Sequence, residues 1–195
     1  MNKLKDTALS YRTELGFWMY LMTDCILFGC LFATYAVLRG STAGGPSEAE
    51  LFDMPMVLAQ TLALLTSTLT AGLMLVAMHR KRSVEFKVWL GVTIAFGAAF
   101  FAMELNEFAL LIAEGQSWQS SAARSGFFAL VGTHGLHILV GLLWATVLAV
   151  VVHRRGFTQK NIRQAKLFAL FWHFLDVIWI FIFTFVYLVG ASNGI

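Results

Sequence analysis

The sequence predicts an all-α integral membrane protein with five transmembrane helices. Three observations carry that prediction. Hydrophobic residues make up 58% of the 195 positions and charged residues 13%, against roughly 25% charged in an ordinary soluble domain. The apolar residues gather into five runs, each long enough to cross a bilayer. The basic residues cluster at the ends of those runs. The net charge of +3 therefore has the distribution of a membrane protein and not of a nucleic-acid-binding face.

The runs lie at about residues 16–38, 56–78, 88–113, 127–152 and 167–189. A helix rises about 1.5 Å per residue, so each reaches about 35–39 Å and spans a hydrocarbon core near 30 Å with some tilt. Together they read as a single five-helix membrane domain over residues 1–195. The only prolines are Pro46 and Pro55, so nothing interrupts the helices.

The first run follows a polar stretch, MNKLKDTALSYRTEL, and no small-residue cleavage site comes after it. It is expected to remain as an anchor and not to be removed as a signal peptide. Its Cys25 and Cys30 are five residues apart on one helix and cannot meet. They read as small hydrophobes in a packed helix. The second run carries a small-residue face, TSTLTAG (Thr66–Gly72). The third carries MELNEF (Met103–Phe108), and the fourth GTHGLHILVGLLW, whose Gly132, Gly135 and Gly141 leave room for close helix contact or a lipid chain. The fifth carries His173 and Asp176. Between them the loops are short. The longest, after the first run, contains a Gly-Gly-Pro turn signal. There is no soluble catalytic domain and no internal repeat of the kind that builds inverted-repeat transporters.

Lys and Arg outside the runs number three in the N-terminal tail, then one, four, one and five in successive loops, and none in the C-terminal tail. The alternation places the N-terminus in the cytoplasm and the C-terminus on the periplasmic side, as an odd number of crossings requires.

Ionisable residues at membrane depth are costly, so each needs a reason. They are Asp24, Glu104, Glu107, His134, His137, His173 and Asp176. Six of the seven form pairs at i, i+3 spacing, which share a helix face. Glu104 lies about 13 Å and His134 about 10 Å below the outer surface, so they sit at similar depth. Asp24 and Asp176 both fall about 12–14 Å from the inner surface, and His137 is close to that level. Hydrogen-bonded contacts between helices are the expectation for this set. A di-metal site and a proton relay are the competing readings. Carboxylate-bridged di-iron proteins use Glu-x-x-His on two helices with single Glu residues on two others, and that pattern is absent. His79 and His153 sit at run ends beside Arg80 and Arg154 and read as interfacial. Arg80, Arg82 and Arg155 are candidate contacts for lipid headgroups at the inner surface, or simply topogenic charge.

Several segments resemble one family. WHFLDVIWIFIFTFVYL (Trp172–Leu188) is similar to the final helix of heme-copper oxidase subunit III. GTHGLH (Gly132–His137), MELNEF and YLMTDCILFGCLFATYAVL (Tyr20–Leu38) resemble its preceding helices, and TAGGP (residues 42–46) resembles its bacterial quinol-oxidase branch, of the cytochrome o or bo type. Five helices fit that branch, which lacks the first two of the seven found in the cytochrome c oxidase type. Asp24 stands where many members have Glu.

The resemblance implies a non-catalytic accessory subunit of a proton-translocating terminal oxidase in a bacterial inner membrane. The complex would oxidise ubiquinol and reduce dioxygen to water. It implies two hemes and copper in subunit I, and no metal or cofactor in this chain. It implies subunits I, II and a small subunit IV as partners, with phospholipids in a cleft and no nucleic acid. Support of subunit I and of stable proton uptake would be its task. The alternative is a free-standing membrane di-iron oxidoreductase, which generally needs more than the five histidines present.

Overall fold

The computed structural model describes residues 2–42 and 54–189, with side chains from residue 11 onward. Five helices make up this part of the chain: α1 (Asn2–Leu38), α2 (Met54–His79), α3 (Ser83–Ala113), α4 (Ala122–Arg155) and α5 (Gln159–Ile182), the last continuing as a π-helical turn (Phe183–Leu188). All five are long and apolar enough to cross a membrane. Each overruns its apolar run, most clearly at α1, which begins fourteen residues before Gly16, and next at α5, which begins eight residues before Leu167. Helix propensity does not stop where hydrophobicity does, and long basic side chains such as Lys160 and Lys166 can reach headgroups from the helix end. The TAGGP segment is described only through Thr42; its Gly-Gly-Pro lies outside the described residues, as does the C-terminal tail beyond Val189.

Helices α2, α3, α4 and α5 form a closed ring in which each packs against the next and α5 returns to α2. α1 lies outside that ring, against α4 and, less closely, α5. Burial follows the arrangement: half of the most apolar stretch of α2 and of α5 is enclosed, but only 22% of that of α1. Cys25 and Cys30 are on the exposed side of α1. The expectation that they pack inside a helix interface is corrected: α1 meets its neighbours along the Leu21, Asp24, Phe28 and Tyr35 face, and both cysteines point away from it.

Turn chemistry closes the helices. α2 ends in a Schellman motif, with the Arg82 N–H on the Ala77 carbonyl and the Lys81 N–H on that of Met78, both at 3.0 Å. It forces Lys81 to φ 56°, a left-handed position usually given to glycine. α3 ends the same way on Gly115, φ 77°. Ser121 caps α4 by accepting from the Arg124 N–H at 3.2 Å, and Thr158 caps α5 by accepting from the Asn161 N–H at 3.3 Å. Arg124, the one basic residue that the apolar runs leave in the loop between the third and fourth, lies instead within α4. It belongs to the first turn of α4 and is only 4% exposed.

The centre of the ring is one side chain. The Trp172 indole of α5 lies against bare backbone on two neighbours. A Cβ built on Gly97 of α3 would fall 2.7 Å from Trp172 Cζ2, and one on Gly141 of α4 would fall 2.6 Å from Cζ3. Its N–H donates to Ser67 Oγ of α2 at 3.0 Å. Ser67 Oγ in turn donates to the Thr93 carbonyl of α3 at 2.9 Å, and the Thr70 and Thr93 hydroxyls meet at 2.9 Å. The small-residue faces of α2 and α4 thus serve close packing around this ring. A methyl group at Gly141 or Gly97 meets a buried ring at 2.6–2.7 Å, so the packing around it must shift. Gly141→Ala or Gly97→Ala should destabilise the bundle by about 1–3 kcal/mol, read as a lower unfolding midpoint by tryptophan fluorescence in detergent.

Candidate functional site

The polar residues inside the bundle occupy three places. The first joins α1 to α4. Asp24, 6% exposed, brings Oδ2 to 3.5 Å from Nε2 of His137. His137 Nδ1 lies 2.7 Å from the Thr133 carbonyl one turn earlier, which fixes the ring, and Phe28 packs on it with centroids 5.3 Å apart. Asp24 and His137 thus meet between helices within ion-pair distance, although Asp24 Oδ2 makes no hydrogen bond.

The second place is the junction of α2, α3, α4 and the end of α5. Glu107 Oε2 accepts from Gln60 Nε2 of α2 at 3.1 Å, and Oε1 accepts from the Tyr187 hydroxyl of the π-helical turn at 3.1 Å. Three helices are tied through one carboxyl group. One turn deeper, Glu104 is 2% exposed and its carboxyl covers Gly135 of α4, where a Cβ would lie 2.8 Å from Oε1. Beside Gly135, His134 is completely buried. Its ring stacks on Trp179 at 5.5 Å and meets the edges of Phe100 at 6.0 Å and Phe28 at 6.4 Å. Both ring nitrogens of His134 and both oxygens of Glu104 have no hydrogen-bond partner in the protein. Glu104 and His134 share a level but do not hydrogen-bond to each other.

The third place is Asp176 on α5, 7% exposed, faced by Thr68 of α2 and by His173. His173 itself lies on the exposed side of α5, with Nδ1 2.6 Å from the Ala169 carbonyl. The i, i+3 pairing therefore does not carry both residues into the interior. Arg80, Arg82 and Arg155 are exposed at the ends of α2, α3 and α4, and Arg82 binds Glu85 at 2.6 Å.

Sequence reasoning missed Gln60, Tyr187 and the hydrogen-bonded Trp172 and Trp179. Gln60 was findable, since an amide within an apolar run has the same need for a partner as a carboxylate. Tyr187 was not. The π-helical turn widens the register so that Val186 and Tyr187 both point inward, and no residue type signals that turn. Trp179 Nε1 donates to Thr61 Oγ1 at 3.1 Å, a cross-helix bond between residues far apart in sequence.

Among the described residues no three His, Cys, Asp or Glu side chains are placed to hold one metal ion. The fold and its polar layer define a multi-pass membrane bundle whose buried polar groups act across helix junctions. Comparison with known proteins then places it: the chain belongs to the cytochrome c oxidase subunit III family, whose model matches residues 4–191. It is thus a subunit of an oxidase complex. It is 52% identical over 180 residues to cytochrome bo(3) ubiquinol oxidase subunit 3 of Pseudomonas aeruginosa, covering 92% of this chain and 86% of that protein. It is 43% identical over 197 residues to quinol oxidase subunit 3 of Bacillus subtilis, covering 96% and 95%. It is 44% identical over 179 residues to cytochrome c oxidase subunit 3 of Bacillus sp. strain PS3, covering 90% and 85%. With the family established, nothing supports the free-standing di-iron reading.

The geometry of Glu107 makes a test. Tyr187→Phe deletes a donor to a half-buried carboxyl and should cost about 1–3 kcal/mol. A double-mutant cycle of Tyr187→Phe with Glu107→Gln, read by unfolding in detergent, should return a coupling of about 0.5–3 kcal/mol; additivity would mean the hydroxyl and carboxyl do not interact.

Proposed function

We propose that this chain is the accessory subunit III of a proton-translocating ubiquinol oxidase in a bacterial inner membrane. One observation carries the reading: 52% identity over nearly the whole chain to a protein named as that subunit. On this reading the chain packs beside subunit I, with subunit II and a small subunit IV completing the complex. Hemes and copper reside in subunit I and ubiquinol is oxidised outside this chain. The chain forms one five-helix membrane domain. Its N-terminus is cytoplasmic and its C-terminus periplasmic, which the charge alternation of the loops supports.

Within the subunit, the groups around Asp24, Glu104, Glu107, His134, His137 and Asp176 fix the helix register that presents a constant surface to the complex. Polar contacts of this kind specify pairing in lipid, where hydrophobic attraction between helices is weak. The open cleft between α1 and α5, about 360 Å³ and lined by Phe32, Tyr35, Phe181 and Phe185 with Arg39 among its walls, suits a phospholipid chain and headgroup. Arg80, Arg82 and Arg155 are placed to meet headgroups at the opposite surface, while His173 faces lipid or a neighbouring subunit.

Two experiments test this. Purification through a tag on this chain should yield a heme-bearing complex with quinol-oxidase activity. Asp24→Ala should weaken assembly or shorten activity during turnover while leaving the heme spectra of assembled complex unchanged; loss of a heme signal at normal assembly would contradict the accessory role. Topology is tested by single cysteines in a background without Cys25 and Cys30. Ser120→Cys should react with an impermeant maleimide added to the periplasmic side, and Thr158→Cys only after the membrane is opened.

A further inference from the structure

The junction of α2, α3 and α4 holds five buried polar atoms without a protein partner: both oxygens of Glu104, both ring nitrogens of His134 and Oε1 of Gln60. Each belongs to a residue no more than 2% exposed. Their concentration in one layer is the observation that matters. The contacts tie the layer together: His134 stacks on Trp179, Trp179 bonds to Thr61 beside Gln60 and lies 6.1 Å from Tyr187, Tyr187 and Gln60 both bond to Glu107, and Glu104 stands one turn below Glu107. Phe28, Phe100 and Trp179 wall off His134, and Phe108 and Phe127 continue the aromatic lining toward Tyr187.

An unpaired buried polar group costs about 1–3 kcal/mol, and an unpaired buried charge considerably more. Native structures avoid most of that cost with internal water, which typically makes about three hydrogen bonds to such groups. No Lys or Arg bonds to Glu104, Glu107 or His134 among the hydrogen bonds and ion pairs of this layer. The titratable groups that act on Glu104 are Glu107 on its own helix and Tyr187 at the end of α5, and its carboxyl lies over Gly135, the residue after His134 on α4. None of these carries a fixed positive charge.

We propose that Glu104, His134 and Gln60 form an internal water-binding site in which Glu104 is a neutral carboxylic acid. Its O–H donates to a bound water, its carbonyl oxygen accepts, and water also meets a ring nitrogen of neutral His134 and Oε1 of Gln60. Water here completes the polar layer that joins α3 to α4. The glycine at 135 is part of the site, because a side chain there would displace the Glu104 carboxyl toward its neighbours.

The test uses the whole oxidase complex in nanodiscs. Infrared difference spectra between wild type and Glu104→Gln should show loss of one protonated-carboxyl C=O band, shifted in heavy water because its proton is exchangeable through the bound water. Glu104→Gln, which keeps the shape and a donor, should assemble at the wild-type level, whereas Glu104→Leu should lower assembly. A density map resolving ordered water should show it between Glu104 and His134. A carboxylate band in place of the C=O band, or a map with the pocket dry or holding a metal ion, would overturn the proposal. Assembly failure of Glu104→Gln alongside full assembly of Glu104→Leu would also overturn it. Each of these readouts is independent of which quinol or cytochrome the complex oxidises.

Discussion

Four helices converge on one indole. Trp172 lies on the bare backbone of Gly97 and Gly141 while its N–H is held by Ser67. This fixes the distances between α5 and α3, between α5 and α4, and the rotation of α2 at once. In lipid such an arrangement matters more than in water. Burying an apolar side chain between helices gains little when the alternative environment is also apolar, so association depends on tight packing and on polar contacts. The Trp172 wedge uses both, and a second indole, Trp179, repeats the pattern seven residues later with Thr61. Seven residues are close to two helical turns, so both rings leave α5 on the same side and set the register of the whole ring of helices.

The polar layer depends on that register. Glu104 covers Gly135 only because α3 and α4 approach closely, and the same approach places Phe100 against His134. Glu107 reaches Gln60 and Tyr187 because α2 and the end of α5 are already fixed by the two tryptophans. Packing and polar pairing therefore specify the same register together. The π-helical turn is the local adjustment that reconciles them, since it lets α5 keep Val186 in the core and still send Tyr187 to Glu107.

Much of this architecture was legible in the sequence. The five apolar runs located the helices because span length is imposed by the bilayer, and the ionisable residues inside them stood out against an apolar background. Depth placed Asp24, Asp176 and His137 at a similar level, but did not say which of them meet: Asp24 approaches His137, while Asp176 faces Thr68 and His173. Direction around the helix axis was harder. Spacing at i, i+3 puts two side chains on one broad face, yet that face covers enough arc for Asp176 to be inside and His173 outside. Cys25 and Cys30 were misjudged for the same reason, because a helix at the periphery has no periodicity that separates a partner-facing side from a lipid-facing one. Arg124 looked like a loop charge until Ser121 proved to be a helix cap. Trp172 and Trp179 were visible as residues but not as donors, since their acceptors lie on α2, more than a hundred positions away.

The remaining question is why an accessory chain keeps so many buried polar groups. A bundle held only by apolar packing in lipid has weak discrimination between neighbouring rotational settings, because each presents similar apolar surface. A carboxyl group that must find Gln60 and Tyr187 makes wrong settings costly by leaving polar atoms bare, and an Asp within ion-pair distance of His137 favours one setting electrostatically. α1 shows the need most clearly. It is the least enclosed helix, it lies outside the ring, and its exposed face includes Trp18, Met19, Met22 and Ile26. Apolar contact would let it rotate or slide. The Asp24–His137 pair favours one angular setting of α1 against α4, so the same face turns outward.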